Sequence, residues 1–280
     1  FARGFAELQL ASDFCNGIPL TDGTGTAEEI VYGKGLTVKE VFTAALASFD
    51  SAITIASGTD NASVTINRAA RIGKARALLG LGLDKAADAA AAVAGIPTTF
   101  RYDVTASLTG GNNILWSQPA GSNRYTVSDS LQGNNRSILV KNATPFLSAK
   151  DPRVPAHYKI ASNGKDTVKS QDGNTYVIQV DSLWGQTSAV AVVHGLDARL
   201  IEAEAALKAG NPAQMMTILN TLRSSPLQIT APSPTASGTH PGWTTPVMAA
   251  LTDPGTQDGR VQLLFREKAF WQFGRGHRLG

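Results

Sequence analysis

Apolar residues recur at helical spacing in two stretches of the chain and give way to short alternating runs between them. Phe1, Phe5 and Leu8 share one helical face, and the pattern predicts a first helix that closes near Asn16-Gly17, where Pro19 forbids continuation. Residues 21–36 are polar and rich in Gly and Thr, which reads as a loop. Thr37 and Glu40 then form a capping-box pair. Val38, Val41, Phe42, Ala45, Leu46 and Phe49 make one apolar stripe behind it. A third helix is expected with Asn67 as its cap and Ile72, Ala75 and Leu79 on its buried face, ending at Gly80-Leu81-Gly82. Asp84 is expected to cap a fourth, alanine-rich helix that runs to about Val93.

From Thr98 to about Val193 the period changes. Gly, Asn, Ser and Thr dominate. Phe100–Tyr102, Ile114–Trp116, Ser137–Val140 and Thr175–Val180 read as short strands or extended pieces. The Asp172-Gly173 step predicts a hairpin. Helix returns over His194–Lys208, with Leu196, Leu200, Ala203 and Leu207 on one face. Gly210 ends it, Asn211 caps the next helix, and Pro212 takes its first position. That helix carries Met215, Leu219 and Leu222. Residues 224–246 hold five Pro and read as a long irregular loop, before a last helix from Asp258 to Phe273.

The prediction is a mainly α fold. Two helix pairs, each turning through a Gly followed by a cap, resemble the tetratricopeptide type, without the full repeat pattern of an array. The chain is expected to form one domain over 1–280, with a helical core of 1–97 and 194–280 and an insert of irregular structure and short strands at 98–193.

Composition narrows the function. A single Cys among 280 residues excludes a disulfide framework and a zinc ribbon. No apolar run reaches the roughly 18 residues that a spanning helix needs. A formal charge of +3 is too small a bias to imply a nucleic-acid partner. Charged residues are 17%, low for a soluble domain, and the deficit is filled by Gly, Ser, Thr and Asn, which favours an extracytoplasmic protein. The chain begins at Phe1 inside a helical pattern and carries no visible signal peptide, so it reads as an internal segment of a longer precursor.

Catalytic chemistry finds little support. His157, His194, His240 and His277 lie far apart, with no ligand spacing, and read as structural or surface residues. Cys15, beside Phe14 in the first helix, reads as a buried inert thiol. Glu202 and Glu204 point to different helical faces, and Glu202 is placed to pair with Arg199. Gly80-Leu81-Gly82 and Gly274-Arg275-Gly276 lack the context of a nucleotide or phosphate cradle. No cofactor and no metal is implied. Binding is better supported. Trp116, Trp184 and Trp243 fall in loop-rich regions, with Asn113, Arg124 and Tyr125 close in sequence. An aromatic face beside planar donors is the chemistry used against sugar rings, so these six are the candidate ligand contacts. Trp271 is assigned to the core of the last helix.

Several stretches together resemble the SusD/RagB family of outer-membrane nutrient-uptake proteins. They are Arg3–Leu10 leading to Asn16–Leu20, Val38–Ile53, Arg68–Leu79, Asp151-Pro152-Arg153, Arg199–Leu207 with Leu219–Arg223, and Arg266-Glu267 through Gly276-His277-Arg278. Arg275 stands where the family usually has Glu, and Cys15-Asn16 replaces its usual aromatic position. The resemblance implies a non-catalytic lipoprotein exposed on the outer membrane, anchored by a lipid outside this segment. It would capture an oligosaccharide or similar nutrient and pass it to a SusC-like TonB-dependent transporter. The alternatives weighed from the residues are a helical interaction domain without a small ligand, and a hydrolase of the same nutrients.

Overall fold

A computed structural model describes residues 1–21, 32–132, 137–141 and 143–277. Helix α1 (Ala2–Asp13) packs against α2 (Val38–Ile55), and α2 against α3 (Asn61–Leu81). The α2 start is the expected capping box. Glu40 N–H donates to Thr37 Oγ1 at 3.2 Å, and Thr37 N–H donates to Glu40 Oε2 at 2.7 Å. Two boundaries differ from the sequence reading. Helix α1 stops at Asp13 because Asn16 and Gly17 serve the next element. Asn16 Oδ1 accepts the Val38 N–H at 2.8 Å, and Gly17 N–H donates to Leu36 O at 2.8 Å, beside the small ribbon β1 (Ile18–Pro19) with β2 (Gly35–Leu36). Cys15 therefore lies beyond the helix and is exposed, not buried. Residues 22–31 of the expected loop lie outside the described residues.

The third helix begins at Asn61. Asp60 is its cap, accepting from the backbone of Ala62 and Ser63 at 3.0 Å each. Asn67 sits inside the helix and donates to the Ile53 and Ala56 carbonyls, so it closes the end of α2 instead of opening α3. Asp84 falls within a 3₁₀ turn, Leu83–Lys85, and makes no cap bond to α4 (Ala86–Val93).

The second helical pair is α6 (Gly195–Lys208) and α7 (Pro212–Arg223), separated from the first by α5 (Ile114–Trp116) in the insert. Gly210 turns the chain at φ +72°, and Asn211 Oδ1 accepts the Gln214 N–H at 3.0 Å. Leu196, Leu200, Ala203, Leu207, Met215, Leu219 and Leu222 form its core, as the stripe predicts. Ala89, Val93, Ala198 and Ile201 join the two pairs in a shared core. The junction requires Gly195. A Cβ there would lie 1.9 Å from the Pro97 carbonyl oxygen. The last helix, α8 (Gln257–Trp271), lies close to the expected limits and is capped by Thr256, and Trp271 is buried in the core as expected.

The insert opens and closes on one antiparallel ribbon, β3 (Arg101–Val104) with β8 (Val190–His194), close to the expected limits. Between them lie two further pairs, β4 (Leu131–Gln132) with β5 (Ile138–Leu139) and β6 (His157–Tyr158) with β7 (Ile178–Gln179). The Asp172-Gly173 hairpin is present: Ser170 N–H donates to Thr175 O at 2.8 Å. Ile114–Trp116 is a helical turn, not a strand, because Asn113 caps it. The region 224–246 is not irregular either. It forms β9 (Leu227–Thr230), β10 (Ser233–Thr235), β11 (Gly238–His240) and β12 (Trp243–Thr245), with β10–β11 nested inside β9–β12. Its prolines flank the strands or sit in two-stranded ribbons, where a missing N–H is tolerated.

Two buried charge nodes hold these parts together. Glu267 of α8 is 1% exposed and accepts from Arg153 Nη1 at 2.6 Å, from Arg153 Nη2 at 2.9 Å and from Arg223 Nη1 at 3.1 Å. Asp151 completes the set on Arg153 at 2.7 and 2.8 Å. Burial opposes the charge on Asp151, but the Arg153 hydrogen bonds outweigh it and hold the carboxyl below its ordinary range. The second node is Asp197, fully buried, which accepts from Arg275 at 2.6 and 3.1 Å, from Gln272 at 3.2 Å and from the His194 N–H at 3.0 Å. His194 in turn caps α6, its Nδ1 accepting the Leu196 N–H at 3.0 Å.

Glu267→Gln leaves the buried Arg153 and the partly buried Arg223 short of an anion. It is expected to cost roughly 3–5 kcal/mol in urea unfolding. Asp50→Asn, which breaks the exposed 2.6 Å pair with Lys74, is expected to cost under about 1 kcal/mol. Burial, aided by Arg275 against the opposing Asp197, pushes His194 down to about 3, and His277 is also well below its ordinary value. Both stay neutral in the fold at pH values where the unfolded chain takes up protons. Their full contribution is therefore present above the unfolded pKa of about 6.5 and is lost as pH falls below it, by up to about 1.4 kcal/mol per pH unit for each group. The thermal midpoint is expected to fall between about pH 7 and pH 5, and His194→Asn, which keeps a capping side chain, to remove about half of that slope.

Candidate functional site

The expected contacts fall into two kinds. Asn113 is a structural cap. Its Oδ1 accepts the Leu115 N–H at 2.7 Å, its Nδ2 donates to Ser188 O at 2.7 Å, and its own N–H donates to Gln186 O at 2.8 Å. Trp184 is 3% exposed and stacks on Phe273 with centroids 5.8 Å apart, so neither ring face is open. Trp243 is half-buried and spends its Nε1 hydrogen on Pro152 O at 2.9 Å.

Trp116, Arg124 and Tyr125 lie together on one strap. Trp116 ends α5 and rests half-buried at the margin of a core that includes Val127, Ile178, Leu183 and Phe270. A wide turn, Ser117–Gly121, follows, and Arg124 N–H returns to Gln118 O at 2.9 Å. The neighbouring hairpin ties this strap down. Lys159 Nζ donates to the Ala120 carbonyl and, at 2.7 Å, to Asn123 Oδ1. Gln171 donates through its side chain to Ser122 O at 3.2 Å. Arg124 and Tyr125 project from the strap into solvent, Tyr125 with 67% exposure. A half-buried indole, an exposed phenol and an exposed guanidinium on a tethered backbone offer apolar ring faces and planar donors without a large ordering cost.

Other chemistry is sparse. His157 Nε2 lies 3.1 Å from Asp181 Oδ1, a pair that sequence spacing did not reveal because β6 and β7 bring it together. Among the described residues no group of three His, Cys, Asp or Glu side chains is placed to hold a metal ion, and no helix is long and apolar enough to cross a membrane. Arg199 and Glu202 form the expected pair at 2.7 Å. The sequence reading missed a half-open cavity of about 490 Å³ lined by residues of α1, α2, α3, α6 and α8 and of the segments that follow α3 and α8. Its walls come from five helices remote in sequence, so no local motif marks it.

No family model matches the sequence, and no curated protein matches it either. Solved structures do. A SusD-like carbohydrate-binding protein from Bacteroides vulgatus matches with TM-score 0.57 and 15% identity over 98% of this chain and 59% of its own. A SusD superfamily protein from the same organism matches with TM-score 0.57 and 14% identity over 99% of this chain and 64% of its own. This chain thus spans less than two thirds of the length of either. Helical pairs, ribbon-bound insert and closing helix together have, over nearly the whole chain, the fold of the SusD-like proteins.

Proposed function

We propose that this chain is the greater part of a non-catalytic nutrient-binding domain that captures oligosaccharide at the cell surface. The observation that carries the reading is the tethered strap bearing Trp116, Arg124 and Tyr125 on a SusD-like fold. An indole and a phenol stack on the C–H faces of sugar rings, and the guanidinium donates to hydroxyls. In this reading the helical core of 1–97 and 194–280 is a scaffold and the 98–193 insert presents the ligand face, the two forming one domain. Asn113 and Trp184 position the strap and the 184–188 turn without touching ligand. The domain delivers its ligand to a SusC-like TonB-dependent transporter, and a lipid outside this segment anchors it to the outer membrane.

Calorimetric titration against a panel of glycans is expected to find one class that binds. Trp116→Ala and Tyr125→Ala are each expected to weaken that binding by roughly 3- to 10-fold, with an unchanged thermal midpoint for the exposed Tyr125 and a small drop for the half-buried Trp116. Trp184→Ala is expected instead to lose roughly 3–5 kcal/mol of stability. No binding to any glycan, with no co-purifying TonB-dependent transporter, defeats the proposal. Capture of protein partners by a Trp116→Ala variant as efficiently as by the unaltered chain would favour a helical interaction domain.

A further inference from the structure

The cavity among the helices is apolar on most sides, with Leu8, Phe42, Leu200 and Phe265 in its walls. Its polar lining is unevenly matched. Lys268 and Glu204 pair with each other at 2.7 Å. Arg76 has no carboxylate at hydrogen-bond distance, and Asp197 and Asp13 act on it only at longer range. Its Nη2 donates to Gln9 Oε1 at 3.0 Å and to Gly276 O at 3.3 Å, both uncharged. Its Nη1 is buried with no hydrogen bond at all. Asp197, whose charge acts on Arg76, is occupied by Arg275 and Gln272. The lining therefore holds two cations, Arg76 and Lys268, against one anion, Glu204. Two more polar atoms of the same lining, His277 Nε2 and Gln272 Oε1, are also buried without a hydrogen bond. Burial drives the Arg76 guanidinium down to about 10, with Asp197 opposing and Arg275 adding repulsion.

A buried donor of a cation without an acceptor is costly, and a carboxylate placed on it recovers a charge-assisted bond. The cavity volume lies within the range of small-molecule sites, roughly 300–1,000 Å³. We propose that this cavity binds an organic acid with an apolar body, its carboxylate on Arg76 and its hydrocarbon against Leu8, Phe42, Leu200 and Phe265. The site is separate from the Trp116 strap and does not depend on the glycan reading.

The test is calorimetric titration of the full-length protein with octanoate and, as an uncharged body of the same length, octanol. Octanoate is expected to bind at one site, roughly 10- to 100-fold more tightly than octanol. Arg76→Met is expected to abolish that preference. Since this change also touches α3 packing, a second variant is needed. Leu83 lines the cavity and is 50% exposed, so Leu83→Trp is expected to block octanoate while leaving the thermal midpoint in place. Equal affinity for octanoate and octanol overturns the proposal, as does octanoate binding that survives Leu83→Trp. So does an absence of binding, the outcome expected where another part of the polypeptide fills the cavity.

Discussion

The carboxylate of Glu267 decides how the three parts of the chain meet. A carboxylate at 1% exposure is tolerable only when its charge and its lone pairs are matched. Here one match comes from the insert, through Arg153, and the other from the end of α7, through Arg223. The Arg153 guanidinium also lies 5.2 Å from the Phe270 ring and 5.0 Å from the Trp271 ring, both on α8. Guanidinium geometry leaves little freedom here, because a bidentate pair fixes two planes as well as a distance. The insert can therefore sit on the helical scaffold in only one orientation. Asp151, two residues away, adds the second anion that balances two arginines against two carboxylates.

Asp197 performs the same task at the first turn of α6. It draws Arg275 from beyond α8, while its own backbone start is set by the His194 cap at the close of β8. The ribbon that opens and closes the insert, the first turn of α6 and the segment after α8 thus share one buried anion. The core itself is made of small and branched apolar residues, which supply bulk stability but little direction. Direction comes from the charges. This explains why histidines that read as ordinary structural residues turn out to be held neutral. A second positive charge beside Arg275 would have to be buried with it.

What was legible in the sequence follows the range of the interaction. Thr37 with Glu40, and Asn211 with Pro212, act within one turn, and both were readable. The choice between Asp60 and Asn67 was not, since both are good caps. The deciding contacts are those of Asn67 with carbonyls at the end of α2. Cys15 was misplaced for the same reason: Asn16 and Gly17 answer to Val38 and Leu36, more than a dozen residues away. Prolines at 226, 232, 234, 241 and 246 suggested a long irregular loop, yet nested two-stranded ribbons need few ladder donors and accommodate them. The Asp151-Pro152-Arg153 stretch was visible as a motif, but its partner Glu267 lies 114 residues on, and only the fold joins them.

The same logic separates aromatic residues that keep a ring margin open from those committed to the core. Composition marked Trp116, Trp184 and Trp243 alike, because each stands among Asn, Gln, Ser and Arg. Burial divides them. Trp184 has both faces committed, Trp243 has its donor committed, and Trp116 stays only half-buried, its open margin on the same strap as an exposed Tyr125. That margin is useful for recognition only if it is presented without being ordered at each binding event. Lys159 and Gln171 provide this by holding the backbone of 120–123 from an adjacent hairpin. That hairpin belongs to the same insert that Arg153 fastens to Glu267, so the pose of the strap traces back to a buried ion pair on α8. Loops can vary along the strap without disturbing the helical core, while the charge node cannot be altered without moving the whole face.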